Sequence, residues 1–91
     1  MSDAVTASHI LVESETTATQ LMEQITTGDT FAELAKQYSK CPSGKIGGAL
    51  GQFGRGQMVK EFEDAAFAIE PGSVTGPIQT QFGYHLIYRT A

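Results

Sequence analysis

The sequence predicts an α+β domain, and three observations carry that expectation. A β-branched run opens the chain, two amphipathic helical patterns follow it directly, and two strand-like runs around a glycine-containing turn close it. The resulting order is β-α-α-β-α-β-β, and the closing hairpin fixes that part of the sheet as antiparallel.

The first strand is Val5 to Val12, VTASHILV. Val5, Ala7, His9 and Leu11 lie on one face, with Thr6, Ser8, Ile10 and Val12 on the other. Apolar side chains on both faces suit a central strand covered on both sides. Ala18, Leu21, Met22 and Ile25 then recur at helical spacing, with Gly28 as the stop. Thr30 and Glu33 fit a capping box ahead of a second helix carrying Phe31, Leu34, Ala35 and Tyr38. The two helices join at Gly28-Asp29. Residues 41–48, CPSGKIGG, are turn chemistry. Ala49 to Phe53 is a short strand, and Gly54-Arg55-Gly56 is a tight connection. Met58 or Val59, Phe62, Ala65, Ala66 and Ile69 mark a third helix that ends at Pro71-Gly72. The last strands are about Val74 to Gln79 and Tyr84 to Arg89, turning at Gln81-Phe82-Gly83.

Composition narrows the function. Ninety-one residues make one domain, here 1–91 with a core of about 5–90. With 41% hydrophobic and 18% charged residues the chain is too apolar for disorder. A net charge of −4 and only 6 Lys and Arg leave no basic stripe for nucleic acid. No apolar run reaches the roughly 20 residues of a membrane span, and the first residues lack signal-peptide features. The single Cys41 has no internal partner for a disulfide, which suits a reducing compartment. The expectation is a soluble, cytoplasmic protein.

Few residues could carry chemistry. His9 and His85 each lie in a strand, where a histidine is more often a hydrogen-bonded structural residue than a ligand. Cys41 taken alone is a small inert side chain, and Met58, Phe62 and Phe82 taken alone are core. A zinc site from His9, Cys41 and His85 has suitable ligand types, but no CxxC or HxxxH pair organises it. A Cys–His hydrolase needs an oxyanion hole and a cleft that so short a chain could barely supply. Neither metal nor cofactor is expected.

The whole pattern points elsewhere. The segments SHILV, FAELAKQYS, CPSG, GGALGQFGRGQMVKEFEDAAF and GPIQTQFGYHLI run in order along nearly the whole chain. Together they resemble the parvulin-type peptidyl-prolyl isomerases, and the small bacterial PpiC-type rotamases in particular. G-x-F-x-x-G-x-M and F-G-Y-H-x-I are the specific strings. The resemblance implies a parvulin-like member of the FKBP-like superfold, a four-stranded antiparallel sheet surrounded by helices. It also implies that the first and last strands are central neighbours whose histidines, His9 and His85, meet.

By the same resemblance the catalytic group is His9, Cys41, Thr80 and His85. Cys41 falls beside the reacting bond, where relatives have cysteine or aspartate, and Thr80 joins the histidine network. The proline pocket maps to Met58, Phe62 and Phe82, with Leu50 and Gln52 along its edge. An electrostatic role for Cys41 is preferred to covalent attack, because relatives with aspartate there would lack a nucleophile. The implied partners are X-Pro peptides and unfolded proteins, and the implied activity assists folding. The alternative is a non-catalytic, chaperone-like module that only binds such chains.

Departures from the pattern also matter. Ala49 stands where most relatives have aspartate, and Ile46 replaces a usual basic residue. The stretch Glu13-Ser14-Glu15-Thr16-Thr17 is acidic where phosphate-reading relatives are basic. Phospho-Ser/Thr-Pro sequences should therefore be repelled, and an apolar or small residue before proline is expected.

Overall fold

The computed structural model describes residues 4–28, 30–40 and 42–91. Its elements are β1 (Ala4–Val12), α1 (Glu15–Thr26), α2 (Phe31–Tyr38), a 3₁₀ turn (Pro42–Ile46), β2 (Ala49–Gly54), α3 (Lys60–Ala68), β3 (Val74–Thr80) and β4 (Gly83–Arg89). The four strands form one antiparallel sheet in the order β2-β1-β4-β3. The β-α-α-β-α-β-β order and the parvulin-like α+β architecture are those expected. Differences at element ends are small: Gly83 belongs to β4, and α3 starts after Val59. The capping box does not form, since Thr30 occupies the N-cap of α2 without a side-chain cap bond; only its carbonyl accepts the Leu34 N–H.

The sheet is covered on both faces, as the two apolar faces of β1 require. Ile10, Val12 and Leu86 pack against Ala18 and Leu21 of α1 and Phe31, Leu34 and Ala35 of α2. On the other face Val5, Ala7, Phe53 and Ile87 pack against Phe62 and Ala66 of α3. His9 and His85 have the parity of this second face, beside Ala7 and Ile87. The central pair sets their depth, with His9 opposite Ile87 and His85 opposite Leu11 across β1 and β4.

Two irregularities shape the second face. On β2 the register passes from Ala7–Gly51 to Ser8–Ala49, so Leu50 is an extra residue. Gly51 takes φ +73° at this bulge, a conformation that L side chains rarely adopt. Gly48, just before β2, accepts the His9 N–H at 2.9 Å. It has φ +84°, and a Cβ built there would lie 2.3 Å from the His9 carbonyl oxygen. Only glycine lets the chain run this close behind His9.

Candidate active site

His9 and His85 meet where the two central strands face α3. Their Nδ1 atoms are 3.0 Å apart. With ring centroids 5.2 Å apart and planes within 17°, the rings lie side by side, nitrogen to nitrogen, and not face over face. The Phe62 ring stands across both, 5.5 Å and 80° from His9 and 5.3 Å and 84° from His85. These are edge-to-face arrangements of the kind aromatic pairs favour. All three residues are buried.

Thr80 completes the network. Its Oγ1 lies 2.8 Å from His85 Nε2 and accepts the Phe82 N–H at 3.1 Å. One hydroxyl therefore fixes both the two-residue turn Gln81-Phe82 and the far side of the His85 ring. A Nδ1···Nδ1 contact holds a single proton. Either Thr80 donates to His85 Nε2 and His85 donates to His9, or His9 donates to His85 and His85 Nε2–H donates to Thr80.

Both rings are held neutral at physiological pH. Burial, followed by the nearby His85, lowers the His9 pKa from 6.5 to about 4, and burial lowers that of His85. The direction follows from removing a would-be cation from water.

In front of this pair opens a cavity of about 560 Å³, lined by His9, Leu11, Lys40, Pro42, Leu50, Gln57, Met58, Val59, Phe62, Phe82 and His85. Its size is in the range of small-ligand sites, and Lys40 is the only formally charged side chain among these residues. Phe62 closes the floor from α3. Met58 and Val59 come from the β2–α3 connection, Leu50 from the bulge, and Phe82 from the hairpin turn with 60% of its surface exposed.

The structure thus brings together His9, His85, Thr80, Leu50, Met58, Phe62 and Phe82. Gln52 is not among the lining residues. The bulge at Leu50 breaks the two-residue alternation that would place Leu50 and Gln52 on one face, and Gln52 is left exposed opposite Thr6. Cys41 lies outside the described residues, although its neighbours Lys40 and Pro42 both line the cavity. Among the described residues no cluster of three or more His, Cys, Asp or Glu could hold a metal.

Sequence reasoning missed Leu11, Lys40, Pro42, Gln57 and Val59. Leu11 had a usable signal, since it shares a strand face with His9 two residues away. The others come from irregular segments where no periodicity reports direction.

Comparison with known proteins agrees with this geometry. Residues 7–91 match the rotamase family described as the PPIC-type PPIASE domain. Foldase protein PrsA 4 of Bacillus cereus is 52% identical over 84 residues, covering 91% of this chain but 30% of that protein. The chain therefore spans under a third of the curated relative it matches. The solution structure of NmPin, the parvuline of Nitrosopumilus maritimus, has a TM-score of 0.91 and 44% identity, covering 100% of this chain and 99% of that one. Pin from the psychrophilic archaeon Cenarchaeum symbiosum gives 0.89 and 46%, covering 100% and 95%. A side-by-side histidine pair, an aromatic cup and a family match from the first strand to the last residue agree: the chain belongs to the PPIC-type peptidyl-prolyl isomerase domains, the parvulin rotamases.

Proposed function

We propose that this chain accelerates cis/trans rotation about X-Pro bonds in unfolded or flexible polypeptides and so assists their folding. The observation that carries the reading is the cavity itself: an apolar cup floored by Phe62 and walled by Met58, Leu50 and Phe82, with a neutral histidine pair behind it.

The chemistry follows from the bond. Rotation is opposed by ~18–20 kcal/mol because planarity preserves amide resonance. The X-Pro isomers differ by only about 0.5–1 kcal/mol, so rate is the difficulty and not equilibrium. No bond breaks and no proton needs to move. The enzyme need only bind the twisted amide better than the planar one, and a hundred-thousand-fold acceleration asks for about 7 kcal/mol of such preference. A planar amide is the more dipolar form, so transfer from water to an apolar cup disfavours it relative to the twist. Phe62, Met58 and Phe82 grip the pyrrolidine ring and supply that environment.

Within the same proposal, the role of Cys41, as a lone-pair-rich thiol or partial thiolate, is to oppose the charge that resonance places on the carbonyl oxygen. His9, His85 and Thr80 orient one another and tune the site without exchanging protons with the substrate. The preferred residue before proline is apolar or small. Discrimination against a phosphate is supported by the acidic segment Glu13-Ser14-Glu15, whose Glu13 shares a separate depression with Lys40, the only cation among the described residues that line the cavity. The domain acts in the reducing cytoplasm as a monomer, and the compartment is supported by a sequence with a single cysteine, which has no internal partner for a disulfide.

The test is isomer exchange in short Ala-Pro and Leu-Pro peptides, with Glu-Pro and phospho-Ser-Pro versions for comparison. Faster exchange in the first two supports the proposal. Binding with exchange no faster than in buffer would establish a non-catalytic holding module instead.

A further inference from the structure

We propose that Glu63, which does not line the cavity, is a positioning residue that sets the substrate-facing lip of the cup. The proposal rests on the reading of this cavity as the proline site. Glu63 follows Phe62 on α3 and is turned toward the β2–α3 connection, with 13% of its side chain exposed. One carboxylate oxygen accepts the Gly56 N–H, and the other receives Arg55 at 3.3 Å. The Arg55 guanidinium also lies 4.2 Å from the centre of the Phe67 ring, one turn further along α3. A third tie is internal to the connection, where Gln57 Oε1 accepts the Gly54 N–H at 2.8 Å.

These contacts converge on residues 54–57, and the next residues, Met58 and Val59, form the cavity wall with Gln57. Beyond the Ala4–Gly54 pair that ends β2 the connection has no ladder to hold it, and Gly56 brings no side chain that could pack. Its position is therefore set by polar ties to α3, the helix that also supplies the floor. A carboxylate accepting a backbone N–H makes a charge-assisted bond, stronger than a neutral one. Fixing lip and floor to one helix keeps the cup at the width of a pyrrolidine ring.

The test pairs kinetics with exchange. Glu63→Ala should raise KM for an Ala-Pro peptide about five- to tenfold with kcat changed less than about twofold, the split expected when ground-state and transition-state binding fall together. Glu63→Gln retains an oxygen for the Gly56 N–H and should restore KM to within about twofold of wild type. In the wild-type protein the exposed Gly56 amide should exchange at least about tenfold slower than an unstructured glycine. An unchanged KM in folded Glu63→Ala, an equal loss in Glu63→Gln, or unprotected Gly56 exchange each overturns the proposal. Exchange at Gly56 and peptide titration followed at the Met58 methyl decide it even if Glu63→Ala does not fold. A wild-type protein that leaves peptide isomerisation at the buffer rate refutes the catalytic reading separately.

Discussion

Acidification should destabilise this domain through His9, and the size of the effect can be worked out. The unfolded chain has an ordinary histidine pKa of 6.5, whereas folded His9 is lowered to about 4 by burial and by its neighbour His85. Between these values the unfolded state binds the extra proton, so stability is complete above about pH 7 and falls as pH drops toward 4. At 1.36 kcal/mol per pKa unit, His9 alone removes about 1.4 kcal/mol by pH 5.5 and about 2.5 kcal/mol by pH 4.5. His85 is shifted in the same direction and adds to the loss. A domain of 91 residues at 0.05–0.15 kcal/mol per residue has only about 5–14 kcal/mol in total. Urea unfolding at pH 7.5, 5.5 and 4.5 reads the effect directly. With a slope near 1 kcal/mol/M the wild-type midpoint should fall by about 2–3 M across the series. His9→Gln keeps a hydrogen-bonding group toward His85 Nδ1 but cannot titrate, so its pH dependence should be shallower by most of that amount. Parallel slopes for the two proteins would refute the assignment of the loss to a buried neutral imidazole.

Three further outcomes follow from the site. Met58→Ala opens the wall without removing the floor and should lower kcat/KM for an Ala-Pro peptide by about tenfold, the worth of about 1.4 kcal/mol of lost contact, with little change in melting temperature. Gly48→Ala should destabilise the fold by about 1–3 kcal/mol from backbone strain alone, and by more because its Cβ would press on the His9 carbonyl; chemical denaturation measures it. If Cys41 acts electrostatically, Cys41→Asp should keep most of the turnover while Cys41→Ala loses it, whereas a covalent role predicts loss in both.

Much of this architecture was legible because it rests on periodicity. The two apolar faces of VTASHILV announced a doubly covered strand, and His9 read correctly as sharing a face with Val5 and Ala7. Helical spacing through Phe62 and Ala66 put the same aromatic on the inner face of α3. Legibility failed where the backbone leaves its period. Leu50 and Gln52 are two apart and look equivalent in sequence, but the extra residue at the bulge rotates one toward the cup and leaves the other in solvent. Thr30 and Glu33 have the spacing of a capping box without its side-chain bond. The contribution of Glu63 was invisible because its partners, Arg55 and the Gly56 amide, lie across a loop that no pattern orients.

The histidine pair explains why buried polar groups stand behind a pocket that works by being apolar. Two neutral rings sharing the one proton between their Nδ1 atoms satisfy those two nitrogens, and Thr80 satisfies His85 Nε2, so the network presents no net charge to the cup. The same geometry admits one added proton and no more. A His9 cation can still donate through Nδ1 to His85 Nδ1, with His85 Nε2–H turned to Thr80. A second proton would place two N–H groups against each other at 3.0 Å. The pair therefore has to titrate in two coupled steps, and the second must separate the rings. Phe62 lies edge-to-face on both rings, so any such separation moves the pocket floor. Fold stability and the shape of the proline cup consequently depend on the same pair, and conditions that charge both rings should weaken peptide binding before the sheet itself is lost.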